Sequence, residues 1–266
     1  MGRSHMSSTT RASLEAIFVP DDEQELLSRY SALAEIAARD RGVRLAICTD
    51  FERLRTINER NSANWASVSP IFDPRCSALN SDRAFWIEGV DRTGDTVVAS
   101  AVRLYDHGRS SLADDIRSLR VFYDRPAQRT AAGEHIDVDA PCAEQIRGAA
   151  VYSGAVWVRP DYRRLGFSKF IPRLARGFAL ARWQPSIFWG TIKPELDQAG
   201  LTQAYGSWQI GGRLAIRMPS WRKDFDLLFL WMDRATLVND IATAIAQATT
   251  DNSRRSETLM TNISDP

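Results

Sequence analysis

One stretch of the sequence decides the fold and carries most of the functional signal: Gly154-Ala155-Val156-Trp157-Val158-Arg159-Pro160-Asp161-Tyr162-Arg163-Arg164-Leu165-Gly166-Phe167-Ser168. Its apolar first part predicts a strand that ends at Val158, because Pro160 has no amide hydrogen to donate to a sheet. The chain then turns and enters a predicted helix over residues 166–183, whose apolar side chains recur at helical spacing. A strand followed at once by a helix indicates an α/β domain.

The start of this predicted helix is suited to binding an anion. The first amides of a helix have no partner inside it, and the positive end of the helix dipole lies behind them. Gly166 leaves the backbone open to a phosphate, while Arg163 and Arg164 add cationic donors. Ser168 is small and carries a hydroxyl. The stretch therefore predicts a pyrophosphate site, and the alternative is an ordinary strand-to-helix connection with solvent-facing arginines.

Outward from this stretch, hydrophobic periodicity predicts one α/β domain with a mixed sheet. Helices are predicted over 22–39, after Asp50, over 166–183, within 201–208 and over 234–247. Strands are predicted over 43–48, 84–90, 96–105, 149–158, 186–192, 213–218 and 226–232. The turn at 91–95 predicts a hairpin. Between 106 and 147 we expect a short helix near 112–119, a strand over 120–123 and a polar loop over 125–141.

The two ends of the chain are expected to lie outside the folded domain. The opening Met1-Gly2-Arg3-Ser4-His5-Met6 resembles an expression-vector remnant, so residues 1–20 are interpreted as a tag remnant and flexible N-terminus. Residues 21–248 are expected to form a single domain. Residues 249–266 are polar and are expected to form a disordered C-terminal tail.

Composition excludes several classes of function. The chain has 266 residues, a formal net charge of +1, 44% hydrophobic and 25% charged residues, which is typical of a soluble globular protein. Near-zero charge favours neither nucleic acid nor an anionic membrane as a partner, and no apolar run reaches the roughly 20 residues of a membrane span. Cys48, Cys76 and Cys142 lie far apart, which indicates a reducing, cytoplasmic location. His107 and His135 are isolated, so no metal site is expected.

The opening stretch resembles the coenzyme loop of GNAT superfamily N-acetyltransferases. That family carries Arg/Gln-x-x-Gly-x-Gly/Ala after its fourth strand, commonly preceded by Val-x-Pro and an aromatic residue. This chain has Val158-Arg159-Pro160, Tyr162 and Arg163-x-x-Gly166-x-Ser168, with Ser in the last small position. The resemblance is strongest over 149–192. It implies a GNAT-like mixed, mostly antiparallel sheet flanked by helices, in which the fourth and fifth strands splay apart.

The resemblance implies an acyl-CoA-dependent N-acyltransferase that uses acetyl-CoA as the acyl donor and an amine as the acceptor, without a metal. The pantetheine arm would lie along the fourth strand, and Gly154 would suit a bulge where the strands separate. The expected coenzyme-binding residues are Val156, Trp157, Val158, Arg163, Arg164, Leu165, Gly166, Phe167 and Ser168.

The resemblance also assigns catalytic roles. A strand amide near Val156 would stabilise the oxyanion, and Tyr205 on the following short helix would protonate the departing thiolate. Lys193-Pro194 stands where the family has Asn, which leaves the geometry around Tyr205 open. The resemblance identifies no general base. Glu144, by its place before the fourth strand, is the one candidate, and a water relay is the alternative.

Two other functions remain compatible with the sequence. Trp157, Phe188 and Trp189 suit a long-chain N-acyl amino acid synthase-like enzyme, which would transfer a long acyl chain, for example from a carrier protein. A non-catalytic CoA-binding or interaction protein is the other. The acceptor amine belongs to a small molecule or a protein, and exposed strand edges allow a homodimer.

Overall fold

One mixed sheet runs through the part of the chain that the computed structural model describes, residues 22–219 and 223–263. Its strands are β1 (Arg44–Cys48), β2 (Ala84–Val90), β3 (Thr96–Asp106), β4 (His135–Asp139), β5 (Ala149–Val158), β6 (Ile187–Ile192), β7 (Gln209–Met218) and β8 (Lys223–Asp233). The α-helices are α1 (Asp22–Arg39), α2 (Phe51–Arg60), α3 (Leu112–Arg117), α4 (Pro126–Ala131), α5 (Phe167–Trp183), α6 (Pro194–Gln198), α7 (Leu201–Tyr205) and α8 (Arg234–Ile263).

The strand order is β1-β2-β3-β5-β6-β8-β7-β4. Every neighbouring pair is antiparallel except β5 and β6, which are parallel and are connected through α5. This agrees with the predicted mixed, mostly antiparallel sheet. The predicted hairpin of β2 and β3 is also confirmed, with Glu88 opposite Ala99 across the pair.

Helices cover both faces of the sheet. On one face, α1, α5 and α8 bury a core that includes Val98, Phe167 and Phe188. On the other face, α2, α3 and the segment 61–82 bury a second core that includes Trp86 and Trp189. Central strands are therefore buried on both sides, as the apolar composition of β2 requires.

Local signals explain where several helices begin. Asp50 caps α2, because its carboxylate accepts a hydrogen bond from the amide of Arg53 at 2.9 Å. Ser111 and Asp114 form a reciprocal capping box at the start of α3. Both helix starts follow the sequence prediction.

The segment between β3 and β5 differs from the prediction in two ways. Residues 120–123 are turns, not a strand, because Leu119 takes a left-handed backbone (φ 62) and its carbonyl accepts from the amides of Phe122 and Tyr123. The predicted polar loop over 125–141 contains α4 and β4. β4 adds to the sheet edge beside β7, with Ile136 buried and its neighbours exposed.

The C-terminal helix is longer than the sequence analysis expects. α8 continues to Ile263, so the backbone over 249–263 is helical where a disordered tail is predicted. No Gly or Pro interrupts the sequence between Arg234 and Ile263, and those are the residues that end helices most strongly. Residues 1–21, with the expected tag remnant, and residues 264–266 lie outside the described residues.

Candidate active site

β5 and β6 separate after a short parallel contact. They pair only where Ala150–Tyr152 lies beside Ile187–Trp189. β6 then continues to Ile192 against β8, while β5 continues to Val158 against β3. The edge of β5 that faces β6 therefore has no paired strand over residues 153–158 in the described part of the chain. We call the space between the two strands the opening.

A bulge bends β5 at the opening. Ala101 pairs with Gly154 and Ala99 pairs with Trp157, so Ala155 and Val156 together stand opposite Ser100. Ala155 takes a positive φ of 50°, which turns the strand locally. The predicted bulge is therefore present, but it lies one residue beyond Gly154.

Glycine is required at position 154 by packing and not by the bulge. The ring of Tyr152 lies over it, and a Cβ at Gly154 would stand 2.8 Å from Tyr152 Cε1, too close for any side chain. The small residue therefore makes room for an aromatic ring at the opening.

The loop between β5 and α5 presents unpaired amides at the end of the opening. After a 3-10 turn at Pro160–Tyr162, Arg164 (φ 64) and Gly166 (φ 84) both take left-handed backbone, and Gly166 is the N-cap of α5. The amide of Lys169 donates to Gly166 O at 2.9 Å. Within residues 22–219 and 223–263, the amides of residues 164–168 donate to no protein acceptor.

The side chains of the predicted loop residues have separate positions. Arg163 braces the loop, because its guanidinium donates to Val158 O and Asn64 O, each at 3.1 Å. Arg164 and Leu165 are exposed, Ser168 is half-buried, and Phe167 is buried in the core beneath the loop. Phe167 therefore offers only its backbone to a ligand.

On β5, the predicted coenzyme residues point to opposite faces of the sheet. Trp157 is 4% exposed, stacks on Trp65 with ring centroids 4.7 Å apart, and donates from Nε1 to Asn64 Oδ1 at 3.0 Å. Val158 packs against the core on the α5 side, and Val156 is half-buried. These side chains hold the strand, while its backbone edge faces the opening.

Tyr205 ends α7, which follows β6 through α6. Its ring packs with Ile192, the last residue of β6, and with Leu228 and Leu230 of β8. Burial raises the pKa of its phenol to about 12. The buried Arg176 of α5 donates to its carbonyl oxygen, which fixes the end of α7. Lys193 and Pro194, which stand where the family has Asn, begin α6, with Pro194 at the first helical position.

Glu144 lies just before β5, at the end of that strand opposite the loop. It belongs to a 3-10 turn before the first residue of β5, whereas the loop follows the last residue. Its carboxylate forms an exposed ion pair with Arg117. Glu144 and the loop therefore lie at opposite ends of β5.

β5 and β6 form a parallel pair that separates, and at the open end β5 continues through the loop into α5. The sequence resemblance implies this arrangement. β4 is an addition at the far edge of the sheet, so β5 and β6 take the places of the fourth and fifth strands. The chain has the GNAT fold.

Comparisons with known proteins give distant matches to other proteins of GNAT fold. Spermidine N-acetyltransferase from Vibrio cholerae, in complex with CoA and spermine, matches with a TM-score of 0.42 and 9% identity, covering 74% of this chain and 98% of that one. Arabidopsis thaliana NAA60 in complex with acetyl-CoA matches with a TM-score of 0.47 and 16% identity, covering 73% and 99%. No protein-family model and no curated protein matches the sequence. TM-scores below 0.5 do not establish a shared fold. The assignment of the fold therefore rests on the strand order and on the separation of β5 and β6.

Arg41 contacts the loop between β5 and α5, although no sequence pattern predicted it there. It follows α1, and its Nε donates to Leu165 O at 2.5 Å. Its guanidinium lies 5.8 Å from the Phe170 ring centroid, and its Nη2 would stand 4.0 Å from a Cβ at Gly166. A cation therefore lies beside the unpaired amides. Arg41 and Leu165 are 124 positions apart, so no local pattern links them.

A cavity of about 450 Å³ lies apart from the opening, where β2 begins and β3 ends. Its lining includes Arg83, Arg103, His107, Asp115 and Arg120. The end of β3 pairs with the start of β5, so this cavity and the loop lie at opposite ends of β5. We therefore place the candidate site at the opening.

Metal-binding side chains do not gather in groups of three or more anywhere in the described ranges. Among the helices of that part of the chain, none is both long and apolar enough to cross a membrane.

Proposed function

We propose that this protein is an N-acyltransferase that moves an acetyl group from acetyl-CoA to an amine. The observation that carries the proposal is the run of unpaired amides over residues 164–168 beside the unpaired edge of β5. A diphosphate needs several hydrogen-bond donors in one place, and an extended amide-containing arm needs a free strand edge. Both features occur here next to each other.

The coenzyme would then extend from the loop into the opening. Its pyrophosphate would accept hydrogen bonds from the loop amides, with Arg41 and Arg164 supplying positive charge. Its pantetheine arm would lie along residues 153–158, a distance of about 17 Å at the usual rise per strand residue. Arg159 donates its amide to Val97 O of β3 at 2.8 Å. Since strand amides alternate in direction, the amides of Val158 and Val156 are expected to face the opening.

The reaction joins the amine nitrogen to the thioester carbon and breaks the carbon–sulfur bond. The amide of Val156 is suited to hold the oxyanion. The phenol of Tyr205 is protonated at neutral pH, and burial raises its pKa further, to about 12, so it can donate a hydrogen bond to the departing sulfur. Glu144 is held by Arg117, so we route the proton of the amine to water.

Two measurements test the proposal. Calorimetric titration with CoA should show saturable binding, and free-thiol release from acetyl-CoA should become amine-dependent for part of a broad amine panel. Tyr205→Phe should lower kcat by about 10²-fold with little change in KM for acetyl-CoA, which is the usual size of a lost acid. Tyr105→Phe is the matched control, because it removes the hydroxyl of another half-buried tyrosine, which donates to Val121 O at 2.6 Å, away from the loop.

The outcomes separate the three functions. Absence of CoA binding refutes the proposal. CoA binding without thiol release for any amine favours the non-catalytic CoA-binding protein. Turnover that peaks with long acyl donors favours the N-acyl amino acid synthase-like enzyme.

A further inference from the structure

We propose that Tyr152 and Thr191 close the inner end of the opening and restrict the acyl group to a few carbon atoms. The inference rests on the proposed function, because it takes the thioester to lie in the opening. It assigns chain-length selection to two residues that lie outside the loop.

The inner end of the opening is where β5 and β6 come together. Tyr152 and Trp189 form the last registered pair. One residue further, a Cβ at Gly190 would stand 2.9 Å from Ser153 O, so the two backbones are still in contact there. A coenzyme that enters from the loop reaches this closed end with its acyl group leading.

A side-chain bridge spans the strands at that end. The Tyr152 ring turns over Gly154, toward the open part of β5. Its hydroxyl lies 3.3 Å from Thr191 Oγ1 on β6, across the opening and beyond the last backbone pair. The acyl group would therefore meet this bridge first.

The space behind the bridge is filled. Trp189 and Phe72 lie against Tyr152, with ring centroids 4.5 and 5.5 Å away. Both are 0% exposed, and Tyr152 is 6% exposed. Interiors packed at this density do not admit several extra methylenes without displacing side chains. The Tyr152 hydroxyl is protonated at neutral pH, as any phenol is, and burial raises its pKa further.

The test is a series of straight-chain acyl-CoA donors from acetyl to decanoyl, with affinity measured by calorimetry and turnover by thiol release. The wild-type protein should bind and use acetyl-CoA best, with kcat/KM falling about tenfold or more for each methylene or two beyond the limit. Tyr152→Ala removes the ring and should move the optimum to longer donors. Tyr152→Phe is the matched control, because it keeps the ring and should keep the preference for acetyl.

Thr191→Ala covers the case in which Tyr152→Ala fails to fold, since it opens the other side of the bridge with a smaller loss of volume. It should extend tolerance by one or two carbons. Equal affinity of the wild-type protein for all chain lengths, or an unchanged profile in folded Tyr152→Ala and Thr191→Ala, overturns the inference while coenzyme binding still supports the proposed function. Failure of CoA itself to bind removes the proposed function, and the inference with it.

Discussion

Gly166→Val should separate coenzyme binding from folding. Gly166 has φ 84 and caps α5, and a Cβ there would meet nothing closer than Arg41 Nη2 at 4.0 Å. A Cβ at position 166 would therefore clash with no protein atom, but the valine side chain would project over the backbone that a phosphate must approach. Its backbone strain should cost about 2 kcal/mol of the free energy of unfolding, because β-branched residues disfavour a left-handed backbone. A domain of ordinary stability survives that loss.

The loss of affinity should be larger than the loss of stability. Hydrogen bonds to a charged group contribute about 1.5–3 kcal/mol each. Two such bonds lost from the loop amides amount to about 3–6 kcal/mol, which weakens CoA binding by about 10² to 10⁴-fold. Calorimetric titration with CoA measures this directly, and thermal unfolding followed by circular dichroism shows whether the variant is folded.

Gly148→Val is the matched control. Gly148 also has a left-handed backbone (φ 64), and a Cβ there would meet nothing within 4 Å. It precedes β5, at the end opposite the loop. The control should lose a similar amount of stability and keep its affinity for CoA. The phosphate site would be refuted if folded Gly166→Val bound CoA within about threefold of the wild-type affinity, a difference of only about 0.7 kcal/mol.

Three further outcomes are expected. Arg41→Gln should weaken CoA binding by about tenfold, because it removes a positive charge beside the phosphates. The loss should be larger at low than at high salt, since salt screens this attraction; a loss that calorimetric titration finds equal at both salt concentrations would contradict the prediction. Gly206→Ala should cost about 2–4 kcal/mol in urea unfolding, since a Cβ would stand 2.6 Å from Asp240 Oδ2, whereas Gly108→Ala, with nothing within 4 Å, should cost less. Burial raises the pKa of Tyr30 from 10.0 to about 12, so its contribution to stability is complete below about pH 10 and is lost as the pH rises through 12. The difference in phenolate absorbance between the wild-type protein and Tyr30→Phe, titrated beside circular dichroism, should show Tyr30 of the folded protein ionising near pH 12 rather than near pH 10.

Local signals explain how much of the site was predictable. Pro160 ends a strand, Gly166 permits a left-handed N-cap, and the periodicity of 167–183 makes a helix, so the strand, loop and helix follow from neighbouring residues. The same local reasoning was wrong for residues 120–123, where apolar content suggested a strand. The left-handed backbone at Leu119 turns the chain there instead.

Contacts between distant residues explain what the sequence analysis missed. Arg41 reaches Leu165, and Tyr152 reaches Thr191, across 124 and 39 positions. Glu144 was a reasonable candidate base by its place before β5, yet its distance from the loop depends on the direction in which β5 runs. The roles of Glu144 and Tyr205 in the reaction stay predictions.

The sequence by itself determined the strand, the loop and the helix start at which we propose an anion site, because the local structure there depends on a few consecutive residues. Only the tertiary structure decided that β5 and β6 separate after three registered pairs, that Arg41, just after α1, contacts the loop, and that Tyr152 spans the gap. The physical reason is that strand pairing and side-chain packing are set by the whole sheet and both of its covered faces, to which residues far apart in the chain contribute.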